Sequence, residues 1–153
     1  MSKKSKFIYL SLSTLFFIIL NRFFSDFIIQ NGRSVPENPL LQITYIENTG
    51  AAFNIFEGYK IFLIAFAALA ILGILFYTVK HIQKAPVIGL LFVAVLISGI
   101  FNNMLERITY GHVIDFIKLN FVDFPVFNLS DAFINIGVIG IVCLILKNSC
   151  LKK

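Results

Sequence analysis

Charge is what this sequence has least of. Only 14% of its 153 residues are Asp, Glu, Lys or Arg, against roughly a quarter in a soluble domain. That shortage excludes an ordinary soluble domain. A hydrophobic fraction of 58% and a mean hydropathy of +0.88 point to an integral membrane protein. Cysteine is nearly absent: Cys143 lies in the last apolar run and Cys150 in the tail, which argues against a disulfide framework or a cysteine metal site. The only histidines are His81 and His112. His81 falls on the side read below as cytoplasmic, so the two are not expected to share a metal. No Gly-rich phosphate loop is present, and Ser130 has no evident base that would make it a nucleophile. The net charge of +5 does not signal nucleic acid, because the basic residues cluster at the ends of apolar runs as topology determinants do.

What the chain has in quantity is long apolar runs. Lys3, Lys4 and Lys6 precede an apolar stretch that resembles a signal peptide, but no small-residue cleavage site follows it. A retained first span over 7–29 is expected, with Asn21, Arg22, Ser25 and Asp26 near its outer end. Further spans are expected over 59–77, 86–104 and 127–146. Between the first two, residues 30–57 are polar and rich in turn formers (Asn31-Gly32, Pro36, Asn38-Pro39). Within them LQITYIE, Leu41 to Glu47, alternates as a short strand does, which suggests a small sheet at the outer face. Residues 109–124 alternate but are too polar to span, and are expected to lie at the interface. The fold class is thus all-α: four transmembrane helices with a small extracytoplasmic β element, as one domain over 1–153.

Acidic residues are missing from one side. The expected inner segments carry Lys3, Lys4, Lys6, Lys80, Lys84, Lys147, Lys152 and Lys153 and no Asp or Glu. By the positive-inside rule both termini are cytoplasmic. Two acids stand out on the outer side, Asp115 in Val113-Ile114-Asp115-Phe116 and Asp131 after Asn128-Leu129-Ser130. An acid beside or inside a span is a functional-site hypothesis by default. Two carboxylates at close range can hold one proton between them; one can then activate water while the other protonates a leaving group. The plain alternative is a loop charge at Asp115 and a helix N-cap at Asp131. Asn103, Arg107 and Asn128 fall at the same expected depth. Arg107 suits a bidentate grip on a carboxylate or phosphate, or else a headgroup anchor. Asn128 suits orienting a carboxylate, and Asn48 is otherwise a turn residue.

Four blocks together resemble the bacterial lipoprotein signal peptidase (signal peptidase II) family of intramembrane aspartic proteases. They are Glu47-Asn48-Thr49-Gly50-Ala51-Ala52-Phe53, the segment Gly99 to Arg107 with Gly99, Asn103 and Arg107 retained, Val113-Ile114-Asp115-Phe116, and Phe124-Pro125-Val126-Phe127-Asn128-Leu129-Ser130-Asp131. The resemblance covers nearly the whole chain. It implies a catalytic dyad of Asp115 and Asp131, with Asn48, Gly50, Gly99, Asn103, Arg107 and Asn128 lining or supporting the site. It also implies no metal or cofactor, a prolipoprotein substrate carrying diacylglycerol on its lipobox cysteine, cleavage just before that cysteine, and inhibition by globomycin. The setting implied is the bacterial inner membrane, with the site toward its extracytoplasmic face, membrane lipid as surroundings, no nucleic acid, and a monomer. The chain departs from the family pattern at Asn21, Arg22 and Ser25, where the family has an Asp-Gln pair and a following Lys, and at Asn102, Glu106 and Ser130. A non-enzymatic membrane protein, such as a transporter subunit or assembly factor using the acids as a proton path, is the competing reading. Such a relay should place acids through the membrane depth, and the inner half has none.

Overall fold

The computed structural model describes residues 1–31, 39–51 and 55–150, with the side chains of 148–150 excepted. Gly32, Pro36 and Asn38 of the turn-rich stretch, Ala52 and Phe53 of the first block, and Lys152 and Lys153 lie outside the described residues. The elements run α1 (Lys3–Asn31), β1 (Leu41–Asn48), α2 (Lys60–His81), α3 (Val87–Tyr110), β2 (Val113–Leu119) and α4 (Leu129–Cys150). All four helices are long and apolar enough to cross a membrane. In lipid, a spanning segment has to bond its backbone internally, and the helix does so within one segment.

The helix α3 is the hub. It packs against each of the other three helices and touches β2. Its core face runs through Leu90, Ala94 to Gly99, Asn102, Asn103 and Glu106, all buried. Most of the large apolar side chains of α1 and α2 stay exposed on the protein, as a lipid-facing surface should. The α3–α4 contact is close because glycine permits it. A Cβ on Gly99 would lie 2.5 Å from the Ser130 carbonyl oxygen, and one on Gly137 would lie 2.6 Å from Leu96 Cβ.

The sheet has two antiparallel strands, β1 and β2. Within residues 109–124, expected as an interfacial segment between the third and fourth spans, Val113–Leu119 forms the partner strand, a pairing not foreseen from the sequence. Thr109 and Tyr110 finish α3, Gly111 turns the chain at φ 91° with its N–H bonded to the Arg107 carbonyl, and β2 begins two residues later. The physical reason is pairing: β1 alone would leave a row of backbone donors and acceptors open. The register slips by one residue between Ile43 and Ile46. Beyond the slip Asn48 sits opposite Val113, and therefore on the same sheet face as Asp115, two residues further along. Without it Asn48 would point to the other face.

Phe127 extends this platform. Its N–H donates to the Ile117 carbonyl, and its own carbonyl accepts from the N–H groups of Phe116 and Ile117. The residue just before Asn128 and α4 is thereby stitched to the strand that carries Asp115. At the opposite end, Lys6 Nζ donates to the carbonyls of Gln83 and Ala85 at 2.9 and 2.6 Å, tying α1 to the α2–α3 turn.

Gly99→Ala tests this packing. The new methyl meets backbone, which cannot swing aside, so a destabilisation of about 1–3 kcal/mol is expected. Thermal unfolding followed by far-ultraviolet circular dichroism should show a lower Tm than wild type. An unchanged Tm would mean that α3 and α4 are not in the close contact described.

Candidate active site

Asp115 is buried in β2, with its carboxylate held from two sides. Asn48 Nδ2 donates to Oδ2 at 2.9 Å and Asn128 Nδ2 donates to Oδ1 at 2.7 Å. Asn48 is itself locked, because its Oδ1 accepts from the Gly50 N–H at 3.0 Å. That side-chain turn fixes which end of the amide faces Asp115.

Asp131 stands in the first turn of α4. The plain expectation for it was the N-cap, and the structure gives that place to Asn128. Asn128 Oδ1 accepts from the Asp131 N–H at 3.0 Å, and Asp131 Oδ2 accepts from the Asn128 N–H at 3.2 Å. This is the reciprocal capping-box arrangement, with the acid three residues into the helix. The remaining oxygen, Oδ1, accepts from Asn103 Nδ2 at 2.8 Å. Asn103 Oδ1 accepts from Asn128 Nδ2 at 3.2 Å. Asn128 therefore bonds both carboxylates, one through its side chain and one through its backbone.

Of the remaining expected site residues, Gly50 and Arg107 join the cluster in ways the sequence did not indicate. From the sequence Arg107 suits a grip on a carboxylate or phosphate, or a headgroup anchor. Instead its guanidinium donates to the Gly50 carbonyl at 2.6 Å and to the Asn103 carbonyl at 3.1 Å. No ion pair to Asp115 or Asp131 forms among the described residues, although its charge acts electrostatically on both. Its Nε is buried without a protein partner. Arg107 thus fastens the loop after β1 to α3. Gly99 contacts α4 rather than either aspartate: it is a packing position that brings α4 close enough for Asn103 to reach Asp131.

Two further networks back the site. Asn21, fully buried, donates from Nδ2 to Ser130 Oγ at 3.1 Å, and Ser25 Oγ donates to its Oδ1 at 3.3 Å. Arg22 forms an ion pair with Asp26, and another with Glu106 at 3.2 Å. Glu106 Oε2 accepts the Ile114 N–H at 2.9 Å. Asn21, Arg22, Ser25, Glu106 and Ser130, five of the six positions singled out in the sequence as departures, lie in these networks, whereas Asn102 donates to the Ile18 and Ser98 carbonyls. Asn21 and Ser25 share a helix face, as their spacing of four requires, but nothing in their spacing marks Ser130 as a partner.

Burial sets the electrostatics of Asp115. Desolvation raises its pKa from 3.8 to about 6, the Asn48 and Asn128 bonds oppose that rise, and the nearby Asp131 and Glu106 charges add to it. Such a group can be protonated or ionised near neutral pH, as acid–base work needs. Among the described residues, no three His, Cys, Asp or Glu side chains gather as a metal site would require.

The site is thus two carboxylates, one on β2 and one in the first turn of α4, tied through a shared asparagine in a protein whose four helices are long and apolar enough to cross a membrane. The family is shown by comparison. The signal peptidase II model matches residues 8–147. A lipoprotein signal peptidase of Dehalococcoides mccartyi is 37% identical over 135 residues, covering 85% of this chain and 82% of that protein. One from Streptococcus thermophilus is 35% identical over 108 residues, 71% of this chain and 70% of that one. A bacterial membrane enzyme solved by the in meso method at 2.3 Å superposes with a TM-score of 0.81 at 27% identity, covering 94% of this chain and 91% of its own. The chain belongs to the signal peptidase II family. It is a multi-pass membrane protease of the bacterial inner membrane.

The raised pKa of Asp115 predicts a slope in stability. An acid whose folded pKa lies above its unfolded value binds more protons in the folded state between the two. Wild type should therefore lose stability as pH rises from about 4 to about 6 and level off above, by on the order of 3 kcal/mol in all. Asp115→Asn should lack that slope. Comparing Tm across pH 4–8 for the two proteins checks it, and parallel curves would contradict it.

Proposed function

We propose that this chain removes the signal peptide from diacylglyceryl-modified prolipoproteins, cutting just before the lipidated cysteine, by aspartic catalysis at Asp115 and Asp131. The observation that carries the reading is Asn128, which bonds both carboxylates at once. One carboxylate of the pair takes a proton from water, which attacks the scissile carbonyl. The other, protonated, donates to the amide nitrogen as the carbon–nitrogen bond breaks. The roles belong to the coupled pair, which titrates as a unit. Asn48, Asn103 and Asn128 hold the carboxylates in place, and Arg107 and Gly50 hold the adjoining loop. The chemistry is proton transfer and calls on no cofactor.

The whole chain acts as one membrane-embedded peptidase unit, in our reading a monomer in membrane lipid with no nucleic-acid partner. Both termini face the cytoplasm and the site faces outward, as the one-sided lysines indicate. Globomycin should block it. The competing non-enzymatic reading finds no support in the family to which the chain belongs.

The experiment is cleavage of a diacylated prolipoprotein by the purified protein in detergent, with and without globomycin. Asp115→Asn and Asp131→Asn should each lower turnover by roughly a thousandfold or more, the scale of general acid–base catalysis, while membrane insertion persists. Near-wild-type turnover in either variant would remove that residue from the mechanism. For orientation, a reporter fused after Lys153 should read cytoplasmic and one inserted near Asn38 external. An external C-terminus would overturn the topology.

A further inference from the structure

A second charged arrangement meets β2 at the backbone N–H of Ile114, next to Asp115. Glu106 is buried, at 4% exposure, one turn before the end of α3. Its two oxygens do different things. Oε2 accepts the backbone N–H of Ile114, at 2.9 Å, the residue immediately before Asp115. Oε1 accepts from Arg22 of α1 at 3.2 Å. Arg22 is also bonded to Asp26 and, at 3.3 Å, to the Tyr110 hydroxyl. An open pocket of about 400 Å³, lined by Arg22, Asp26, Tyr45, Tyr110, His112 and Ile114 among others, lies on this side. Water therefore reaches Arg22 and Asp26 while Glu106 stays buried.

A buried acid between a solvated cation and one backbone N–H is a costly thing to keep in an apolar helix end. The bond it makes is not generic strand pairing either. It pins β2 to α3 one residue from the proposed catalytic carboxylate, and α3 also carries Asn103, which holds the other one. We propose that Glu106 is a positioning residue for Asp115, acting through the Ile114 N–H of β2, with Arg22 as its counter-ion. This rests on the reading that Asp115 and Asp131 perform the cleavage.

Glu106 also acts on Asp115 through its charge. The charged groups that bear on Asp115 are Asp131 from α4 and Glu106 from α3, with Arg107 of α3 on the catalytic side. Those that bear on Glu106 are Arg22 and Asp26 from α1 and Arg107 on its own helix. On β1, Glu47 is engaged at 3.7 Å with His112. Removing the Glu106 charge removes one source of resistance to ionising Asp115, so the acid limb of the activity profile should move to lower pH. A residue that merely fills space would not move it.

The test measures kcat, KM and the pH profile on a diacylated prolipoprotein for wild type, Glu106→Gln, Glu106→Ala, Arg22→Gln and the double variant Arg22→Gln with Glu106→Gln, with Asp115→Asn alongside. Glu106→Gln keeps an acceptor for the Ile114 N–H, so it should retain kcat within about tenfold and shift the acid limb downward. Glu106→Ala loses the acceptor, so kcat should fall about a hundredfold or more with KM within threefold. Arg22→Gln should lower kcat in the wild-type background and have little further effect on Glu106→Gln, because the two act as one pair. Overturning results are a Glu106→Ala enzyme with near-wild-type kcat, or losses in Gln and Ala that are equal, track the fall in Tm and leave the pH profile unmoved. Asp115→Asn separates the two levels: if it keeps turnover, the dyad reading fails. If it is dead while Glu106→Ala is fully active, only the positioning claim fails.

Discussion

A pair of carboxylates has to be supplied with hydrogen-bond donors and kept from drifting apart, and Asn128 is where both demands meet. A buried carboxylate without hydrogen-bond donors costs several kcal/mol. Asn128 gives its side-chain donor to Asp115 and its backbone donor to Asp131. The same residue caps α4, so the position of the second carboxylate is fixed by the start of a helix rather than by a loop. Asn48 and Asn103 complete the set of donors from β1 and α3. Amides suit this place because they donate without adding charge, leaving the proton count of the pair to the pair itself.

The rest of the fold serves to bring those donors to one point. Gly99, Asn103 and Arg107 recur every fourth residue and therefore lie along one face of α3. Gly99 admits α4, Asn103 reaches its first turn, and Arg107 fastens the loop that follows β1. The one-residue slip in the β1–β2 register turns Asn48 onto the face of Asp115. The bridge from Ile117 to Phe127 then sets α4 down beside the sheet. Glu106 of α3 holds the same strand by the Ile114 backbone N–H.

The sequence made some of this legible and hid the rest for physical reasons. The four helices follow from apolar runs, which are local signals. Asp115 and Asp131 announced themselves as acids with apolar neighbours, and the polar company of Asn48, Asn103 and Asn128 was visible in the same blocks. What stayed hidden was long-range pairing. Residues 109–124 read as an interfacial segment, and that part of it forms a strand depends on its partner β1, some seventy residues earlier by sequence. Arg107 has the chemistry to clamp a carboxylate, yet carbonyl oxygens of Gly50 and Asn103 claim it, and backbone carbonyls leave no mark in sequence. The contacts of Asn21 with Ser130 and of Glu106 with Ile114 likewise depend on how α1 and α3 face their neighbours.

Cleavage by the proposed dyad requires that two coupled carboxylates share one proton. The most direct measurement is the pH dependence of kcat/KM on a diacylated prolipoprotein, taken over the range in which the protein stays folded. Sharing one proton predicts a bell: activity rises as the first proton leaves the pair and falls as the second one leaves. A profile with a single ionisation, or none, would contradict it.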